Sequence, residues 1–250
     1  MAIKNRAEVL WRAWIGDTPR TVGERVRLLG GAQEAARHAG VTPGTVRRWI
    51  RKEESAMPTT VKKAVETFGG VDEAARRAGV TPRTIKAWQR KEERGQAIGN
   101  RQAQHIAKLT DAAVAKHTAG LAAQRPKGNQ AKLHQAVLAS PQARKEAMSS
   151  RRAARISHSG AHLSISAQVM VDTGRRKDVR WREINLNFRN DIMSDPTNAF
   201  LAGNDEGAIS KLGDAFGEHY APGTGWQFGE IRSMEIKEFG AGPGGTFPSI

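Results

Sequence analysis

Two clusters of side chains have the types and spacing to meet a polyanion. Arg47, Arg48 and Arg51 follow Thr42 and Gly44; Arg83, Lys86 and Arg90 follow Thr81. On a helix, separations of three and four residues gather these groups on one side. There they offer donors to phosphates and base edges in a major groove, as a recognition helix does. The same face would also suit a plain solvated helix, so the surrounding pattern has to decide.

That pattern is a repeat. Residues 30–54, GGAQEAARHAGVTPGTVRRWIRKEE, return at 69–93 as GGVDEAARRAGVTPRTIKAWQRKEE, an offset of 39 with roughly two-thirds identity. A repeat of this length is one supersecondary unit used in tandem. Its spacing is that of a helix-turn-helix. Ala36 and Ala75 are the small residues at the crossing, and Gly40 and Gly79 make the turn. Val46 and Trp49, then Ile85 and Trp88, supply the core contacts. Thr42-Pro43 and Thr81-Pro82 start the second helix, threonine as cap and proline at its first position. Val22, Val26 and Leu29 precede the first copy, and Val61, Val65 and Phe68 the second, at the spacing of a third supporting helix. Charge, caps and repeat agree on DNA binding.

The formal charge of +15 is uneven. Residues 1–160 hold 31 Lys and Arg against 13 Asp and Glu, and residues 161–250 hold 9 against 12, giving +18 and −3. The basic part suits DNA or RNA. The acidic remainder is expected to bind DNA poorly by itself. A membrane surface would attract the basic part too, but no long apolar span or signal peptide is seen. The absence of cysteine excludes a disulfide framework and thiolate chemistry. A soluble, cytoplasmic protein is the expectation.

The fold class read from these patterns is a mostly α N-terminal region of tandem helix-turn-helix units, followed by a small α+β domain. An N-terminal helix occupies 1–19, the two helix-turn-helix units 20–54 and 58–94. Residues 95–155 form a basic helical arm, linker or helical hairpin, poor in large apolar residues. The α+β domain spans 156–240, and a flexible Gly/Pro tail 241–250. In that domain Leu163, Ile165, Ala167, Val169 and Val171 alternate with polar residues as a half-buried strand. Asp172-Thr173-Gly174 turns the chain into a second strand, 179–188. A helical stretch lies between Thr197 and His219, and a third strand at 226–239 closes an antiparallel sheet of about three strands.

Other signals have bland readings. His158 and His162 straddle Ser159-Gly160 without a cysteine or a helical H-E-x-x-H pattern, so no metal site is assigned. The tail 240–245 matches G-x-G-x-x-G, but no helix follows to complete a phosphate cradle. Glu53-Glu54 and Glu92-Glu93 end helices and are expected to be solvated. No G-x-S-x-G elbow is present. Nothing reads as a self-sufficient hydrolase or transferase.

With these elements in order, the chain resembles the Tpg-type terminal proteins, covalently attached to the 5′ ends of linear actinomycete chromosomes and plasmids. The resemblance runs from the first repeat to about Phe239. It includes AGVTPGTVRRW, the linker 151-RRAAR-155, the glycine-opened strand 160–171 and a Thr/Gly turn. Arg180-Trp181-Arg182 with 184-INLNF-188, 217-GEHY-220 and 231-IRSMEIKEF-239 complete it. Two features depart from the family: two helix-turn-helix units where its short members have one, and a longer middle segment.

The resemblance implies protein-primed DNA synthesis, in which a hydroxyl of the terminal protein replaces a primer 3′-OH. The family's priming hydroxyl is a threonine in the turn between the first two strands, and only Thr173 occupies that turn here. A gap-free alignment of the second strand would instead set Arg175-Arg176 there. Asp172, Arg175, Arg176 and Lys177 would give Thr173 a phosphate-attracting neighbourhood. As an ordinary turn residue beside Asp172 it would have no such role. Tyr220, the only tyrosine, is the second candidate. The implied partners are double- and single-stranded DNA at replicon ends, a DNA polymerase, and a telomere-associated protein as a further candidate. No cofactor is implied beyond Mg²⁺ held by the polymerase, which makes this chain a primer and scaffold rather than an enzyme. The alternative is a tandem helix-turn-helix transcriptional regulator or replication accessory protein whose sheet domain dimerises; RNA binding by the basic arm is a third reading.

Overall fold

A computed structural model describes residues 6–124, 126–219 and 222–238. The chain divides into two compact units, Pro19–Leu133 and a second made from Met1–Thr18 together with His134–Ile250.

The first unit holds both repeats. Helices α2 (Val22–Leu28), α3 (Ala32–Ala39) and α4 (Pro43–Ala56) form one trihelical set; α5 (Val61–Phe68), α6 (Val71–Ala78) and α7 (Pro82–Glu93) form the other. Gly40 and Gly79 sit at φ 67° and 66° in the left-handed region, where a side chain would be strained. Thr42 and Thr81 cap α4 and α7 by accepting the Thr45 and Thr84 amide hydrogens at 3.2 and 3.3 Å. Val46 and Ile85 are fully buried, as are the small Ala36 and Ala75 of the preceding helices but for a trace of surface.

The two copies differ at tryptophan. Trp88 is buried, whereas Trp49 is only half-buried. The cause is α8 (Asn100–Ala123), which places Leu109 and Ala113 in the core of the second repeat beside Phe68, Ile85 and Trp88. His105, also on α8, stacks near Trp88 and donates from Nδ1 to Ala78 O at 3.2 Å. Ile106, Leu109 and Ala113 make a narrow apolar stripe, sufficient because Phe68 and Trp88 bring the bulk.

The helix-ending glutamates are not all solvated, contrary to the expectation from sequence. Glu54 and Glu93 are exposed, but Glu53 accepts from Val22 N at 2.6 Å and Glu92 from Val61 N at 3.0 Å. Each recognition helix thus closes the N-terminus of its own supporting helix, where a carboxylate is favoured by the helix dipole.

In the second unit, α1 (Arg6–Trp14) packs on the sheet, so the N-terminal helix does not stand alone. Its Leu10 and Trp14 belong to the sheet's core; Trp14 stacks on Phe200 with ring centroids 5.0 Å apart and donates to Thr197 Oγ1 at 3.1 Å. Helix α9 (Gly128–Ala139) spans the division between units, and α10 (Pro141–Ala147) and α11 (Ser150–Ala154) follow. Residues 95–155 are therefore not one arm: α8 completes the second repeat, and α10 and α11 serve the sheet unit. Arg144 of α10 is fully buried, donating to Leu138 O and Phe200 O at 2.8 and 2.7 Å. Its Nη2 lies 2.7 Å from Asp205 Oδ1, the pairing a buried charge requires.

A π-helical turn, Arg155–Ser159, leads into β1 (Gly160–Asp172). A hairpin gives β2 (Lys177–Arg189), and a 3-10 turn, Asn190–Met193, leads to α12 (Ser194–Leu201) and α13 (Asp205–His219) before β3 (Gly225–Glu238). The sheet is antiparallel with order β2-β1-β3. Leu163, Ile165, Ala167 and Val169 face the helices and are buried, as their alternation requires. Phe216 of α13 meets Phe188, Trp226 and Phe228 at 5.2 to 5.5 Å. A Cβ on Gly213 would sit 2.3 Å from Trp226 O, so only glycine allows α13 this close to β3. Tyr220, Phe239 and the tail 240–250 lie outside the described residues.

Candidate nucleic-acid interface and hairpin hydroxyl

The cations singled out on α4 and α7 are all at the surface: Arg47, Arg48 and Arg51 in one copy, Arg83, Lys86 and Arg90 in the other. Among the described residues none of the six enters an ion pair. The helix before each recognition helix behaves differently. Arg37 pairs with Glu34 at 2.8 Å, and Arg76 and Arg77 both pair with Glu73. Hydrogen bonds, first from Arg76 and then from Arg77, hold the Glu73 carboxyl below its usual range. Cations are neutralised on α3 and α6 and left open on α4 and α7, so the positive field concentrates along the second helix of each motif.

Gly44 is exposed, and a Cβ there would meet only Thr42 Oγ1, at 3.8 Å. Arg83 stands at the matching position of the second copy, so the two helices offer different groups at the same place. The Thr42 and Thr81 hydroxyls also hydrogen-bond to Thr45 and Thr84 Oγ1, at 3.0 and 2.9 Å. Their first duty is therefore capping.

Thr173 lies in the other unit. The register ends at Asp172–Lys177, leaving Thr173 to Arg176 as a four-residue connection. The side chain is exposed. Its hydroxyl donates to Arg176 O at 3.2 Å and accepts from Arg176 N at 3.3 Å. Gly174 N donates to Asp172 Oδ1 at 2.8 Å, the Asx-turn bond expected of that aspartate. Arg175 and Arg176 form no ion pair with any described residue, while Lys177 Nζ is 3.6 Å from Asp172 Oδ2. The hairpin tip thus carries an accessible secondary alcohol among open guanidinium groups.

His162 Nδ1 is 2.8 Å from Asn187 Oδ1 across the sheet, and His158 is exposed in the π-helical turn. Among the described residues, no group of three or more His, Cys, Asp or Glu is placed to hold a metal ion. No described helix is long and apolar enough to cross a membrane.

Comparison with family models, curated proteins and solved structures gives no match to this chain.

One further cluster on the sheet is not among the residues singled out from sequence. Trp181 and Val179 are the exposed large hydrophobic side chains among the described residues, 38% and 55% accessible, and the Arg232 guanidinium lies 3.6 Å above the Trp181 ring centroid. The signal for it is the phase of the second strand. Val179 and Trp181 fall in step with the polar Glu183, Asn185 and Asn187 rather than with buried Ile184 and Phe188.

Proposed function

We propose that this chain is a DNA-binding terminal protein that primes synthesis at the 5′ ends of a linear replicon, working in the cytoplasm at those ends. The observation that carries DNA binding is the pair of capped recognition helices whose six cations have no ion-pair partner among the described residues. Priming is supported by the exposed Thr173 hydroxyl beside Arg175 and Arg176, and by the sequence resemblance described above.

In this reading the Thr173 Oγ attacks the α-phosphorus of a deoxynucleoside triphosphate held by a partner polymerase. The bond to the bridging oxygen breaks, pyrophosphate leaves, and the hydroxyl proton passes to a base or water in the polymerase site. The polymerase supplies the metal ions, and this chain supplies the nucleophile. To react, the hydroxyl must release Arg176 O, an exposed bond at 3.2 Å. Its loss costs on the order of 1 kcal/mol, small beside what a polymerase site provides.

A second reading has its own observation. Thr173 both donates to and accepts from Arg176, which is sufficient reason for a threonine in this turn. The chain would then be a tandem helix-turn-helix regulator or replication accessory protein. The deciding experiment asks whether DNA remains attached to the protein through heat and SDS. Attachment supports the primer; its absence from protein isolated with its native replicon overturns it.

A further inference from the structure

Among the described residues, helices pack on one face of the second unit's sheet and none on the other. Residues that alternate outward form the other face, among them Ser166 and Gln168 on β1, Trp181 and Glu183 on β2, and Ser233 and Lys237 on β3. All of these are exposed or half-exposed, whereas Met234 and Ile236 between them turn inward. We infer that this open face binds a single strand of DNA, with Trp181 as the platform on which a base stacks.

The face is mostly polar, with serine, glutamate and lysine, of which the core of a protein-docking surface holds few. Here the only exposed large hydrophobic side chains among the described residues are Trp181 and Val179. Around them stand hydroxyl and amide groups. Ser164 and Asn185 pair at 2.6 Å, leaving Ser166 and Gln168 to meet base edges. An aromatic ring with an overlying guanidinium suits a nucleobase: the base stacks on the π-face, and the cation either extends the stack or swings to a phosphate. Arg232 is placed for both, 3.6 Å above the Trp181 ring.

The hairpin tip supplies the electrostatic entry. Lys177 precedes Trp181 by four residues on β2, about 14 Å along a strand. Arg175 and Arg176 extend the positive end beyond it. A backbone drawn in by these cations would run down β2 with its bases over Trp181. The acidic balance of residues 161–250 does not describe this path, because charge acts locally at physiological salt. Carboxylates lie on or beside the face too: Glu183, Glu235 and the exposed Glu230 in the β3 bulge opposite Gln168. Glu235 is matched by Lys237 at 3.4 Å, whereas Glu183 has no cation against it among the described residues. Glu183 therefore opposes an incoming phosphate.

Strand binding goes beyond priming and stands without it, since no polymerase or nucleotide takes part in the test. Full-length protein is titrated with a labelled mixed-sequence oligodeoxynucleotide of about a dozen residues, at about 0.2 M salt to weaken phosphate contacts elsewhere. Trp181→Ala should weaken single-strand binding about tenfold with duplex affinity unchanged, and Trp181→Phe should keep most of it. Glu183→Gln should tighten single-strand binding. Its substitution leaves the core alone and so remains informative if Trp181→Ala disturbs the sheet. Unchanged single-strand affinity in both Trp181→Ala and Glu183→Gln overturns the inference. An RNA of the same sequence bound as tightly as the DNA overturns the assignment to DNA. Thr173→Ala, run in parallel, should bind the strand as wild type does; a loss of priming with binding intact separates the two proposals.

Discussion

The Glu53 carboxylate accepts the Val22 amide hydrogen at 2.6 Å, tying the last turns of α4 to the first turn of α2. The same bond recurs between Glu92 and Val61. Glu92 also reaches Lys62 N, at 3.3 Å. Each helix-turn-helix is thereby closed into a ring of three helices by a residue at the end of its recognition helix. Replacing Glu53 or Glu92 by Ala should destabilise its unit by about 1 to 2 kcal/mol, the range of a lost helix cap with a favourable dipole term. Thermal unfolding of the full chain reads this as a lowered Tm. Glu54→Ala and Glu93→Ala, on exposed neighbours, should leave it unchanged.

The open cations of α4 and α7 should carry duplex affinity. Changing Arg47, Arg48 and Arg51 together, or Arg83, Lys86 and Arg90 together, to Ala should weaken binding. It should also flatten the dependence on salt, by about 0.9 in log–log slope for each phosphate no longer neutralised. Arg37→Ala and Arg76→Ala, whose side chains are already paired with glutamates, should change the slope far less. Equal slopes for all variants would remove these helices from the interface.

Thr173 is testable by bond chemistry. With polymerase, Mg²⁺ and labelled deoxynucleotide, label should move covalently onto this chain. Thr173→Ala should abolish the transfer and Thr173→Ser retain part of it. The bond should break in alkali, because a threonyl phosphodiester can undergo β-elimination; a tyrosyl bond at Tyr220 should survive. Alkali-resistant label, or label on the Thr173→Ala protein, would move the primer elsewhere.

Helix α1 should be needed by the sheet unit. Trp14 is fully buried, stacked on Phe200 and hydrogen-bonded to Thr197. Trp14→Ala should cost about 3 to 5 kcal/mol, as for other large aromatic truncations in cores. A fragment starting at residue 156 lacks this helix and Arg144, and should show weak, non-cooperative unfolding by circular dichroism.

Arg144 should behave as a core residue despite its charge. Arg144→Ala removes the cation beside the Asp205 carboxylate and leaves the Leu138 and Phe200 carbonyls without their donor. About 3 kcal/mol should be lost, in the range for breaking one side of a buried ion pair. Denaturant titration checks the value; a change below about 0.5 kcal/mol would place Arg144 among ordinary surface residues.

Much of this protein is written locally. The duplication, the Thr42 and Thr81 caps, the turn glycines Gly40 and Gly79, and the alternation from Leu163 to Val171 each involve neighbours a few residues apart. They act through backbone preference and side-chain periodicity, which sequence displays directly. The recognition-helix cations and the exposed Thr173 turn were legible for the same reason. Tertiary structure alone decided where the remaining pieces go. Trp14 meets Thr197 across 183 positions of sequence, and Arg144 meets Phe200 across 56. No local period records such a meeting, because it depends on which surfaces are left to bury once the helices and sheet exist. A long cationic side chain in an Ala-, Gln- and Lys-rich stretch reads the same whether it ends in water or, like Arg144, in the core. Trp49 and Trp88 occupy equivalent places in two closely similar segments, and only α8, packed against one of them, makes their burial different.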